Sequence, residues 1–157
     1  MRLPFVVGAC LALAAIPARA LISQEGAVPF REVADSARRA PAADHRIVYG
    51  AAASQFAELR VPRGSGPHPV VFLLHGGCWL DAYGVDHVAG IAESLRRNGF
   101  AVFAAEYRRV GEAGAGVPGT FDDVRNAYDS LRAIAGRHSL DTSRVILMGH
   151  CLLYTSD

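Results

Sequence analysis

Alternating strand and helix patterns over residues 46–148 predict an α/β domain, a mostly parallel sheet with helices on both faces. Three short runs carry the strand half of that expectation: Val70-Val71-Phe72-Leu73-Leu74, Phe100-Ala101-Val102-Phe103-Ala104-Ala105 and Arg144-Val145-Ile146-Leu147-Met148. They are apolar almost throughout, without polar alternation, as parallel strands covered on both sides are. Between them lie two stretches whose apolar residues recur at helical spacing. The chain has 157 residues, of which 51% are hydrophobic and 20% charged. That length and composition suit one domain with a sizeable core and exclude global disorder.

Taken in order, residues 1–20 read as a Sec-type signal peptide. Arg2 is a minimal positive n-region, residues 3–16 are almost unbroken apolar sequence, and Ala18-Arg19-Ala20 is an A-x-A cleavage site. The apolar core is shorter than the ~20 residues a membrane span needs, so a retained anchor is the weaker reading. A lipoprotein signal ending at Cys10 is weaker still, because apolar sequence continues past it. A secreted or periplasmic protein without a stable membrane anchor is expected, cleaved after Ala20. Export permits disulfides, but only Cys78 and Cys151 remain after cleavage, and no disulfide framework follows from them.

Residues 21–44 are rich in Ala, Arg and Pro without a sustained period, and read as a linker or lead-in. Arg46-Ile47-Val48-Tyr49 and Phe56-Ala57-Glu58-Leu59-Arg60-Val61 predict two strands, the second half-exposed. Residues 62–67 are turn chemistry. After the first buried strand, Val85, Val88, Ala89, Ala92 and Leu95 mark one helix face, and Asn98-Gly99 supplies its stop. Val124, Ala127, Tyr128, Leu131, Ile134 and Ala135 mark a second helix face, with Asp122 and Asp123 in the first turn, where the helix dipole favours negative charge.

The formal net charge is only +1, which offers no electrostatic case for nucleic acid, anionic membranes or acidic substrates. The arginine pairs Arg38-Arg39, Arg96-Arg97 and Arg108-Arg109 are scattered, and such pairs belong most simply to solvated faces or helix ends.

Directly after the first buried strand comes His75-Gly76-Gly77-Cys78-Trp79. This resembles the H-G-G-x-W oxyanion motif of the α/β-hydrolases, in the esterase branch that includes feruloyl and acetyl-xylan esterase-like enzymes, kynurenine formamidases and hormone-sensitive-lipase relatives. The chemistry fits the residues: acyl transfer develops negative charge on a carbonyl oxygen, and preorganised backbone N–H groups aimed at it are a large catalytic term. Glycines let the backbone turn sharply and approach a substrate closely. The resemblance implies an oxyanion hole built on Gly76, Gly77 and Cys78, with the N–H groups of Gly77 and Cys78 as donors. His75 would brace the loop rather than take protons, and Trp79 would pack beneath it. Glu106-Tyr107-Arg108, Pro118, Asp122-Asp123-Val124 and the run Asp141 to Val145 are also similar to this branch in order and spacing, so the resemblance covers residues 46–150. It implies a small-molecule ester or acyl substrate and no cofactor.

Two other readings of these residues carry less. A strand-ending turn explains a Gly pair but not the full five-residue motif. A His75/Cys78 metal site lacks a second ligand pair at zinc-like spacing. Gly114-Ala115-Gly116-Val117-Pro118-Gly119 literally matches G-x-G-x-x-G, but it does not follow its strand directly and Pro118 has no N–H to offer a pyrophosphate. It reads as a loop.

Met148-Gly149-His150 approaches the nucleophile elbow G-x-S-x-G, but Cys151 stands where the serine is expected and Leu153 where a small residue is needed. Three readings are open. Cys151 is a thiol nucleophile, as in dienelactone-hydrolase-like members of the superfamily. The chain is a non-catalytic binding module on the hydrolase fold. Or the segment from Cys151 to Asp157 is foreign: TGT CTC TTA TAC ACA TCT GAC encodes Cys-Leu-Leu-Tyr-Thr-Ser-Asp and is similar to a transposon-end adapter used in sequencing-library preparation. The third accounts at once for the residue change, the lost glycine and the stop. The expectation is therefore a partial hydrolase domain over residues 45–150 followed by a non-native tail, from a serine hydrolase that acts through an acyl-enzyme. Both triad partners would follow the elbow, and the 157-residue chain would be inactive.

Overall fold

The computed structural model describes residues 30–77 and 82–149; the expected signal peptide and the tail from Cys151 lie outside them. The expected α/β architecture is present. One five-stranded sheet has the order β1-β2-β4-β3-β5, with β1 His45–Val48, β2 Phe56–Arg60, β3 His68–Leu74, β4 Ala101–Ala105 and β5 Leu140–Gly149. β4, β3 and β5 run parallel, while β2 and β1 are antiparallel additions at one side.

The central strands are apolar on both faces because both faces are covered. Val70, Phe72 and Leu74 of β3, with Ala101, Phe103 and Ala105 of β4, pack under Ala127, Leu131 and Ile134 of helix α3, Gly119–Ile134. The alternate residues Val71, Leu73, Val102 and Ala104 pack under Val85, Val88 and Ala92, on a 3-10 turn running into helix α2, Ala89–Arg97. The period of two along each strand thus distributes one apolar run between two cores. On the α3 side, Phe72 stacks on Phe103 with centroids 5.8 Å apart and meets Tyr128 edge-on at 5.5 Å.

Two local expectations are revised. Within the stretch 21–44 read as a linker, Phe30–Arg39 forms helix α1, which packs along α2. Its apolar positions are too few to announce a helix in the sequence. The approach is close, since a Cβ on Gly90 would collide with Ser36. Among the described residues β5 pairs only with β3, and Ile146, Leu147 and Met148 are 52%, 58% and 37% accessible. The second revision concerns the arginine pairs. Arg38-Arg39 and Arg96-Arg97 do end helices α1 and α2, but the side chains of Arg108 and Arg109 are more than four-fifths shielded and hold loops together. No helix among the described residues is long and apolar enough to cross a membrane.

Truncating Phe103, fully buried beside Phe72 in the core under α3, is expected to cost about 3–5 kcal/mol as Phe103→Ala. Leu147→Ala, at an exposed position, is expected to cost under about 1 kcal/mol. Urea unfolding of the two variants measures the difference.

Candidate active site

The carboxyl ends of β4, β3 and β5 open on one rim, where open α/β sheets bind ligands. The register is specific: Leu74 pairs with Ala105 on one side and with Gly149 on the other. His75, which opens the H-G-G motif, therefore leaves the sheet between Glu106 and the strand that ends at Gly149. The described starts of the two motifs read separately in the sequence, His75 and Gly149, thus lie at adjacent strand ends. Of the expected site residues, His75, Gly76, Gly77 and Gly149 fall among the described residues; Cys78, Trp79, His150 and Cys151 lie outside them.

His75 is completely buried. Its Nε2 is 2.9 Å from Glu106 Oε1 and its Nδ1 2.9 Å from the Gly76 carbonyl oxygen. Both ring nitrogens thus face fixed partners within the fold rather than the open rim. The ring lies flat on Tyr107, with centroids 4.3 Å apart and planes 2° from parallel, and the Tyr107 hydroxyl donates to the His75 carbonyl at 2.6 Å.

Gly77 has φ +120°, and a Cβ there would lie 2.5 Å from Tyr83 Cβ. Only glycine satisfies both constraints. Glu106 Oε2 accepts from the Val85 N–H at 2.8 Å and Oε1 from the Tyr107 N–H at 3.1 Å, while the Tyr49 hydroxyl bonds the Glu106 carbonyl. Burial pushes the Glu106 carboxyl up, but the hydrogen bond and charge of His75 and the two backbone donors outweigh it and leave the group below its ordinary value.

A second buried carboxylate lies on the α3 side. Asp123 accepts from Arg108 Nε at 2.8 Å, Arg108 Nη2 at 2.7 Å, the Arg108 N–H at 3.0 Å and Gln55 Nε2 at 2.6 Å. Burial raises its carboxyl, and the Arg108 and Gln55 bonds more than reverse that. The sequence reading of Asp123 as a simple helix-start residue is thus corrected: it clamps α3 to the segment after β4. Asp122, on the outer side of the same turn, pairs with Arg125 at 2.9 Å. The Arg108–Asp123 pairing has no spacing signature, because its partners lie on different elements.

The loop that matched G-x-G-x-x-G is closed on itself. The Gly116 N–H donates to Thr120 Oγ1 at 3.0 Å, and the Thr120 hydroxyl donates to the Arg108 carbonyl at 2.7 Å. Among the described residues no group of three or more His, Cys, Asp or Glu could hold a metal ion. A polar cleft of about 570 Å³ opens on the rim beside Glu106, floored by Phe56 and flanked by Ser54, Arg109 and Glu112.

The family BD-FAE matches the chain over residues 59–151. No curated protein matches. Among solved structures, a bifunctional GH43-CE protein of Bacteroides eggerthii is 29% identical with a TM-score of 0.57, over 66% of this chain and 15% of that one. A bacterial heroin esterase is 28% identical with a TM-score of 0.55, over 60% of this chain and 29% of its own. The thermophilic esterase Est2 of the planctomycete Thermogutta terrifontis shares the fold at 19% identity and a TM-score of 0.61, over 69% of this chain and 40% of its own. The chain thus spans well under half the length of each of these structures.

With Glu93, Glu112 and Asp141, also held below their ordinary values, the Glu106 and Asp123 carboxylates contribute to an acid limit. Their folded values lie below the ordinary 4.5 of Glu106 and 3.8 of Asp123, so their contribution is complete above those values and is lost as pH falls through the depressed ones. Unfolding free energy is expected to fall increasingly steeply below about pH 5, as these carboxylates protonate. Asp123→Asn is expected to lower the neutral-pH value and flatten the acid limb, as read by denaturant titration from pH 7 to pH 2. Gly77→Ala is expected to cost on the order of 1–3 kcal/mol in the same titration at neutral pH.

Proposed function

The chain belongs to the BD-FAE family of esterase-like α/β-hydrolases, and on that premise we propose that it carries the oxyanion-binding part of a serine-type carboxylic-ester hydrolase. The observation that carries this reading is the register of β3 between β4 and β5. It sets the Gly76-Gly77 backbone beside the end of the strand from which residue 151 follows. In the proposed reaction a serine at position 151 attacks the ester carbonyl, and the developing oxyanion is received by the N–H groups of Gly77 and Cys78. A histidine oriented by an acid takes the serine proton, and water then releases the acyl group. That histidine is not His75, whose ring nitrogens already face Glu106 and Gly76. Nor is Asp123 the acid, since Arg108 and Gln55 occupy its oxygens. The acid and base are assigned to sequence after the elbow, in the triad order of α/β-hydrolases. The esterase among the likenesses above 25% identity supports the ester class. Export through residues 1–20 belongs to the same proposal.

Sequencing the gene through codon 151 is expected to give serine there, a small residue two positions on, and an Asp or Glu and then a His further along. The enzyme carrying that serine is expected to hydrolyse a nitrophenyl ester, with kcat reduced by about 10⁴–10⁶ when the serine is replaced by alanine. The 157-residue chain with Cys151 is expected to show no turnover. Ester hydrolysis by that chain, abolished by Cys151→Ala, would overturn the serine reading in favour of a thiol nucleophile.

A further inference from the structure

The geometry points to Arg109 as a positioning residue for the oxyanion loop, acting through the backbone of Tyr83; the inference rests on the oxyanion reading of Gly77. Both described ends of the loop after β3 are tied to the segment after β4. The first end, His75 to Gly77, is held by Glu106 through the His75 ring. The second end, residues 82–85, returns across Gly77, where the Tyr83 side chain stands so close that no Cβ fits between them. Tyr83 is therefore the wall against which the Gly77 backbone rests.

Burial does not hold that wall, because Tyr83 is itself exposed. Its carbonyl instead accepts from Arg109 Nη1 at 2.6 Å, and two residues on the Val85 N–H donates to Glu106 at 2.8 Å. Arg109 is aimed in turn by Glu112, whose Oε1 accepts from the Arg109 N–H at 3.0 Å and lies 3.4 Å from Nε. Glu106 Oε1 lies 3.7 Å from the same Nε. Glu112 is fixed from its other oxygen by the Ser54 hydroxyl. A guanidinium suits this place because it offers several donors in a rigid fork, enough to serve two carboxylates and a carbonyl together. The relay Ser54–Glu112–Arg109–Tyr83 thus sets where the Gly77 N–H sits. Oxyanion donors work by being in place before charge develops.

Amide NMR on the full chain tests this without any turnover. Arg109→Met is expected to raise hydrogen exchange at the Val85 amide on the order of tenfold or more and to lower the order parameter of the Gly77 amide, while the Phe72 and Phe103 amides keep their protection. Arg109→Lys, which keeps one charged donor for the Tyr83 carbonyl but loses the fork, is expected to restore both in part. Tyr83→Ala is expected to loosen Gly77 and leave Val85 protected, and it keeps the relay testable if Arg109→Met does not fold. Unchanged loop signals in Arg109→Met, an equal loss of protection in the core amides, failure of Arg109→Lys to restore the loop even in part, or an undisturbed Gly77 in Tyr83→Ala would each overturn the assignment. Because no readout depends on hydrolysis, an inactive enzyme with serine at position 151 counts against the esterase reading alone.

Discussion

Placing the Glu106 carboxylate in the interior costs several kcal/mol of lost hydration, and the rim of the sheet is organised around recovering it. Its two oxygens receive the His75 ring, the Val85 N–H and the Tyr107 N–H, with the Arg109 guanidinium close by. These donors come from different stretches of chain, so satisfying one carboxylate fixes the loop after β3 at both its described ends. An apolar residue at position 106 would save the desolvation and leave those ends untied. Buried networks of this kind, when every member is satisfied, specify one arrangement of the backbone.

The four residues Glu106-Tyr107-Arg108-Arg109 show how a strand exit can serve several tasks. Tyr107 continues the α3-side core begun by Phe103 and Ala105 and supports the His75 ring. Arg108 turns to Asp123 and anchors the start of α3. Glu106 and Arg109 turn to the loop after β3. Four consecutive side chains thus reach different neighbours. The site is therefore held less by the H-G-G glycines themselves than by this short segment of the adjacent strand exit.

Much of the site was legible in the sequence. The His75-Gly76-Gly77 turn announces itself because φ +120° and close approach demand glycine, and glycine is visible as a letter. The buried strands are visible because solvent exclusion on both faces leaves no polar position in Val70 to Leu74. The partners were not legible. Arg108 and Asp123 are separated by a loop and a helix start, and Glu106 and His75 by a whole α2 excursion; neither distance leaves a spacing in the sequence. For the same reason Arg109 read as half of a solvated pair.

By itself the sequence determined the alternation of strands and helices and the glycine-dependent turn after β3, because each rests on local backbone demands or on hydrophobic period. The tertiary structure alone decided that β3 lies between β4 and β5. It alone decided that Leu74 faces Gly149, bringing the described starts of the two motifs to adjacent strand ends. It also decided that the charges of Glu106, Asp123, Arg108 and Arg109 are inward and shared. Strand order and ion pairing join residues distant along the chain, and the free energy that selects them exists only once the sheet has assembled.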